Sequence, residues 1–130
     1  MRGSTGHLVN PLLITDATLK ERVLQALSDQ YSRAILLSII EGSKSATELS
    51  SEGDIPISTT YRRVHELQEA GLVAVERTVV TEDGKKYELY RSTIRGIKIA
   101  FGPGTVEVEL VPNEDIVGKF MRMWSHMRGA

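Results

Sequence analysis

The chain has 130 residues, 41% of them hydrophobic and 25% charged, with a formal net charge of −1. That is enough apolar material for one domain with its own core, and no stretch approaches the about 18 apolar residues a membrane span needs. There is no cysteine, which excludes disulfide frameworks and thiolate metal or redox sites, and no hydrophobic leader opens the chain, so the expectation is a cytoplasmic protein.

Residues 1–15 read as an N-terminal arm. Met1-Arg2-Gly3-Ser4 looks like an expression leader, and Val9-Asn10-Pro11-Leu12-Leu13-Ile14 reads as an extended arm or a tether. Asp16 or Thr18 then caps a helix over 17–27 with Leu19, Val23 and Leu27 on one face. Leu27-Ser28-Asp29 is a break and a new cap. The next helix, 30–41, carries Ala34-Ile35-Leu36-Leu37-Ser38-Ile39-Ile40; being apolar on nearly every side, it is expected to be the most buried. Glu41-Gly42-Ser43 ends it.

Ser45-Ala46-Thr47-Glu48 has capping-box spacing and opens a short helix to Ser51. Gly53-Asp54-Ile55-Pro56 is a turn, with Pro56 suited to the start of a helix over about 56–70. On the helical wheel Ile57, Thr60, Val64 and Leu67 form the core stripe. Ser58, Thr59 and Arg62 point the opposite way, with Arg63 and His65 on the flanks. Gly71 stops the helix. Short helix, tight turn and a helix with a polar outer N-terminus is the helix-turn-helix pattern.

Two hairpins follow. In the first, strands near 72–81 and 85–91 flank Glu82-Asp83-Gly84, an Asp-Gly turn, with Lys85 and Lys86 beside the tip: the shape of a wing. In the second, over 94–101 and 106–110, the sequence alternates from Ile97 on and again from Val106, so one face is covered and one wet. Gly102-Pro103-Gly104-Thr105 joins two strands and is a turn, not a phosphate cradle. Pro112-Asn113-Glu114-Asp115 then caps a helix over 114–128. Ile116, Val117, Phe120, Met123, Trp124 and Met127 share one stripe, while Lys119, Arg122 and Ser125 face away.

Leu24 through Val73 resembles the winged helix-turn-helix of ArsR-like transcription regulators, in the variety common in archaea. The matching pieces are Leu27-Ser28-Asp29, Ser45-Ala46-Thr47-Glu48-Leu49, Ser58-Thr59-Thr60-Tyr61-Arg62-Arg63-Val64 and Glu69-Ala70-Gly71-Leu72-Val73. The resemblance implies an α+β fold and a homodimeric DNA-binding regulator. The family's thiolate metal sites do not carry over, because no cysteine is present, and residues 94–130 depart from its simplest version. The expected organisation is an arm (1–15), a winged helix domain (16–92) and a hairpin plus terminal helix (93–130) that serves dimerisation.

The candidate DNA contacts are Ser58, Thr59, Tyr61, Arg62 and Arg63 on the recognition helix, Lys44 and Ser45 at the preceding helix N-terminus, and Lys85, Lys86 and Arg77 on the wing. Hydroxyls reach base edges or phosphates and Arg pairs bidentately with guanine; Arg62 is expected to read bases and Arg63 to sit on phosphate. Each has a plainer reading as a cap or a solvated charge. Ile116, Val117, Phe120, Met123, Trp124 and Met127 are the expected dimer interface, though such a stripe also serves as ordinary core. Between residues 43 and 91 seven bases face nine acids, a balance of −2, which argues for poor non-specific affinity. It supports a rival, a winged helix that binds proteins within transcription or replication machinery. His7, His65 and His126 lack ligand spacing, and no nucleophile motif, phosphate loop or cofactor motif stands out. No enzyme, metal or cofactor is expected; the partners are double-stranded DNA and a second copy.

Overall fold

The computed structural model describes residues 11–116 and residue 118. The elements in order are β1 (Leu12–Leu13), α1 (Ala17–Ser28), α2 (Gln30–Ser38), α3 (Ala46–Gly53), α4 (Ile57–Glu69), β2 (Val73–Val80), β3 (Lys86–Ser92), β4 (Ile94–Gly102), β5 (Thr105–Pro112) and a 3₁₀ turn, Glu114–Ile116. The class is α+β, a winged helix-turn-helix with an extra hairpin, as expected. The terminal helix expected over 114–128 lies, beyond its first residues, outside the described residues, as do Val117, Phe120, Met123, Trp124 and Met127, and His7 and His126.

Local chemistry sets most boundaries. Asp16 caps α1, its side chain accepting from the Thr18 amide. Asp29 caps α2, accepting from the Ser32 amide. Ser45 and Glu48 form the reciprocal capping box that opens α3: the Glu48 amide reaches Ser45 Oγ at 3.1 Å and the Ser45 amide reaches Glu48 Oε1 at 2.9 Å. Losing such a cap costs about 1 kcal/mol, so Ser45→Ala is expected to lower the unfolding free energy by that much, read as a lower urea midpoint at unchanged m-value. Gly71, at φ 77°, closes α4 where a side chain would be strained, and the Leu72 amide reaches back to the Leu67 carbonyl.

Two expectations need correction. Helix α2 ends at Ser38, three residues short of the expected 41. Its next carbonyls are taken elsewhere: Ile39 accepts from the Ser92 amide, and Ile40 from Arg91 Nε and the Asn113 amide. Nor is α2 buried all round, since Leu37 is 71% exposed while Ile35 and Leu36 are buried. The second correction concerns Ile57, assigned to the core stripe of α4. It is 45% exposed, and Ile55, two residues earlier, fills the core place instead. The turn reaches Ile55 through Asp54, which adopts the left-handed conformation at φ 53°.

The strands form two antiparallel sheets. β2 pairs with β3, with a bulge between Val75 and Arg77. The other sheet has the order β1-β5-β4. Its short first strand lies in the stretch read as arm or tether; Leu12 pairs with Leu110 and Leu13 with Glu109. Alternation along β5 sends Val108 and Leu110 inward, fully buried. They join one core cluster with Ile14, Leu19 and Val23, and with Val64 and Leu67 of α4. The two hairpins meet at a buried polar joint. Thr93 Oγ1 donates to the Gly71 carbonyl, and Asn113 Nδ2 donates to the carbonyls of Ile40 and Ser92.

Candidate nucleic-acid interface

Helix α4 is fixed from within by Thr60, Val64 and Leu67, all buried. The Thr60 hydroxyl is spent on the Pro56 carbonyl at 3.1 Å. With that face inward, Ser58, Tyr61 and Arg62 are exposed and Thr59 half-buried. Among the described residues, Arg62 makes no ion pair or side-chain hydrogen bond, and Tyr61 is 54% exposed. The outer face of α4 therefore carries an unengaged guanidinium between a phenol and two small hydroxyls.

Arg63 is placed differently. Its Nε lies 2.9 Å from Asp29 Oδ2 and its Nη2 3.2 Å from Asp29 Oδ1, while Nη1 reaches Glu66. The fork is thus engaged on the break between α1 and α2, 34 residues away in sequence. Burial alone would push the Asp29 carboxyl up. The Ser32 amide, the Arg63 fork and charge, and the Ser32 side chain outweigh it and hold Asp29 below its ordinary value of 3.8. Arg63 is raised in turn, mainly by its hydrogen bond to Asp29. The sign follows from linkage: a depressed carboxyl contributes stability fully present above the unfolded value and lost as pH falls through the folded one. Asp29→Asn is expected to flatten the acid side of the stability–pH curve below about pH 4, read by urea unfolding at stepped pH; an unchanged acid limb would disprove it.

The wing is docked on the helical part at its root. Backbone bonds run both ways between Lys44 and Tyr90, forming an isolated bridge ahead of α3. Between wing and helices lies an open groove of about 1000 Å³, lined by residues that include Ser45, Thr47, Tyr61, Arg77, Lys86 and Tyr87. Three helix or wing candidates, Tyr61, Arg77 and Lys86, thereby share one concavity with Ser45. The Ser45 hydroxyl itself is occupied by the capping box, and Lys44 Nζ by Glu52 at 2.6 Å. Lys85 and Lys86 are exposed at the tip, where Gly84 at φ 87° makes the turn. Arg62, Arg77, Lys85 and Lys86 take part in no ion pair among the described residues.

Sequence reasoning missed Thr47, Tyr87 and Tyr90 as groove walls. Tyr87 pairs with Val79 across the wing and is 44% exposed; a two-residue period counted back from Leu89 would have grouped it with Arg77. The Tyr90 hydroxyl donates to Glu88 Oε1. Burial, then Glu88 and the charge of Tyr61, push its phenol up to about 12, so Tyr90 remains a neutral wall. Ile116, expected at a dimer interface, is buried within its own subunit.

These elements define a winged helix-turn-helix. Consistent with that, residues 22–76 match the family model of a helix-turn-helix domain. A comparison with curated proteins finds no match. Among solved structures, reduced HlyU from Vibrio cholerae is similar at 20% identity and a TM-score of 0.48, covering 58% of this chain and 74% of that one. A second HlyU structure from Vibrio cholerae is similar at 13% and 0.44, over 84% and 91% of the two chains. An ArsR family transcriptional regulator is similar at 17% and 0.43, over 88% and 91%. Likeness of this degree carries no residue's role across. Among the described residues no helix is long and apolar enough to cross a membrane, and no three His, Asp or Glu side chains gather to hold a metal.

Proposed function

We propose that the chain is a DNA-binding transcription regulator of the ArsR-like kind, in its archaeal variety, working as a cytoplasmic homodimer and not as an enzyme. The observation that carries the reading is the division of α4: Thr60, Val64 and Leu67 are sealed inside, while Ser58, Tyr61 and Arg62 face out, Arg62 without an ion pair among the described residues and Tyr61 on a groove shared with the wing. A recognition helix presents its N-terminal residues to base edges in this way. Arg62 is the base reader, with Ser58 and Thr59 beside it. Lys86 and Arg77 follow the backbone along the groove, with Lys85 at the wing tip. Lys44, Ser45 and Arg63, already engaged by Glu52, the capping box and Asp29, stand at the margin. Two copies, joined through the apolar residues Val117, Phe120, Met123, Trp124 and Met127, would place half-sites about one DNA turn apart.

The charge balance of −2 over residues 43–91 favours a second reading, a winged helix that docks on proteins and never on DNA. Selection of bound duplexes from a random pool, with the molecular mass measured in parallel, separates the two. Enrichment of one motif by a dimer supports the first reading; no site preference at micromolar protein supports the second. With the selected duplex, Lys86→Ala is expected to weaken binding to all sequences alike and to lower the salt slope by about one.

A further inference from the structure

Arg91 stands where three parts of the molecule meet. It lies on β3, is 5% exposed, and uses every side of its guanidinium. Nε donates to the Ile40 carbonyl beyond the end of α2 at 3.0 Å. Nη1 donates to Glu76 Oε2 at 3.0 Å and Nη2 to Asp115 Oδ2 at 2.6 Å. Glu76 is the residue inserted by the bulge of β2, between Val75 and Arg77. Asp115 belongs to the turn that follows β5. A planar fork of fixed geometry therefore pins the wing's bulge, the helical part and the turn at 114–116 to one another.

The position matters because β2 and β3 form a ribbon of two strands only. A ribbon without a third strand along its length takes its angle from its root. At that root are the Lys44–Tyr90 bridge, the Ser92 amide on Ile39 and Arg91. The first two are backbone bonds that involve no later part of the chain. Two side chains link the root to the segment after β5: Asn113, whose Nδ2 donates to the Ser92 carbonyl at the end of β3, and Arg91, which alone of the two also holds the bulge of β2, and which reaches the turn through a carboxylate whose side chain is 53% exposed.

We infer that Arg91 is a positioning residue: it sets the angle of the wing, and through Asp115 it makes that angle depend on the 114–116 turn. Changes at this turn then alter DNA contact by Lys86 without any change on the recognition helix. The inference rests on the reading of the wing as a DNA contact for that last consequence, but the coupling itself is read without DNA.

The test compares full-length Asp115→Ala with Glu114→Ala, a neighbour that makes no bond to Arg91. Asp115 is exposed and Glu114 half-buried, and urea unfolding of each variant checks that the fold is retained. In the free protein, amide hydrogen exchange across the Val79–Tyr87 and Val80–Lys86 pairs is expected to quicken in Asp115→Ala and not in Glu114→Ala. Unchanged exchange overturns the coupling whether or not the protein binds DNA. With the selected duplex, anisotropy is expected to show about a 5- to 10-fold weaker Kd for Asp115→Ala and a salt slope lower by about one, as one phosphate contact is lost. That loss vanishes when Lys86→Ala is already present. Independent, multiplying losses would mean that Arg91 only fills space and would overturn the positioning role. Should the wild type bind no duplex, the DNA reading fails while the exchange result still decides the coupling. Arg91→Lys, which keeps the charge and loses the fork, is expected to behave as Asp115→Ala does.

Discussion

Leu110→Ala is expected to destabilise the fold by about 2–5 kcal/mol, the range for a fully buried leucine that leaves a cavity. Leu110 has no exposed surface. It sits in the middle strand of its sheet, opposite Leu12 on one side and Ile97 on the other, and shares a core with Leu19 and Val23 of α1. Phe101 provides the contrast: on the same hairpin but 86% exposed, its alanine variant is expected to stay within about 0.5 kcal/mol of wild type. Urea unfolding of both variants, with m-values compared, is the measurement. A loss at Leu110 no larger than that at Phe101 would show the second hairpin to be an ornament.

Arg62→Ala is expected to remove about 1–3 kcal/mol of discrimination at one base pair of the selected duplex, the worth of a bidentate guanidinium contact. The arginine has nothing to give up first. It is exposed and unengaged among the described residues, unlike Arg63, which would have to leave Asp29. The effect should appear as relaxed choice between the selected sequence and its single-base variants. Lys86→Ala, by contrast, should lower affinity for every variant equally. Binding constants for a panel of single-base duplexes across a salt series distinguish the two patterns. If both substitutions act alike, Arg62 is not reading bases.

What the sequence disclosed was whatever depends on neighbours a few residues apart. Asp16, Asp29 and Ser45 each cap a helix by bonding an amide two or three residues on; spacing alone located the last two and left the first open between Asp16 and Thr18. Gly71 and Gly84 mark the stop of α4 and the wing's turn because a positive φ is needed there. The miss at the end of α2 has a distant cause: the Ile40 carbonyl is taken by Arg91 and Asn113, 51 and 73 residues later. The two residues of β1 carry no period to detect and are strand only because β5 lies alongside. Of the candidate site, the exposed face of α4 was legible from helical period. The engagement of Arg63 by Asp29 and the burial of Arg91 were not, because a base in a linear count looks the same whether it meets solvent or a carboxylate from another element.

The buried seam of Thr93 and Asn113 has a practical bearing on how this domain can be cut and moved about. Excised after Ser92, the polypeptide would surrender the side-chain amide that caps Ile40 and Ser92 and the apolar lid that Val108 and Leu110 place over Leu19 and Val23. What remained would show water a greasy underside, and would clump or melt. A fold-retaining excision therefore includes at least Leu12 to Ile116, roughly twice the span matched to the helix-turn-helix family, and a fusion partner should be joined outside those two points.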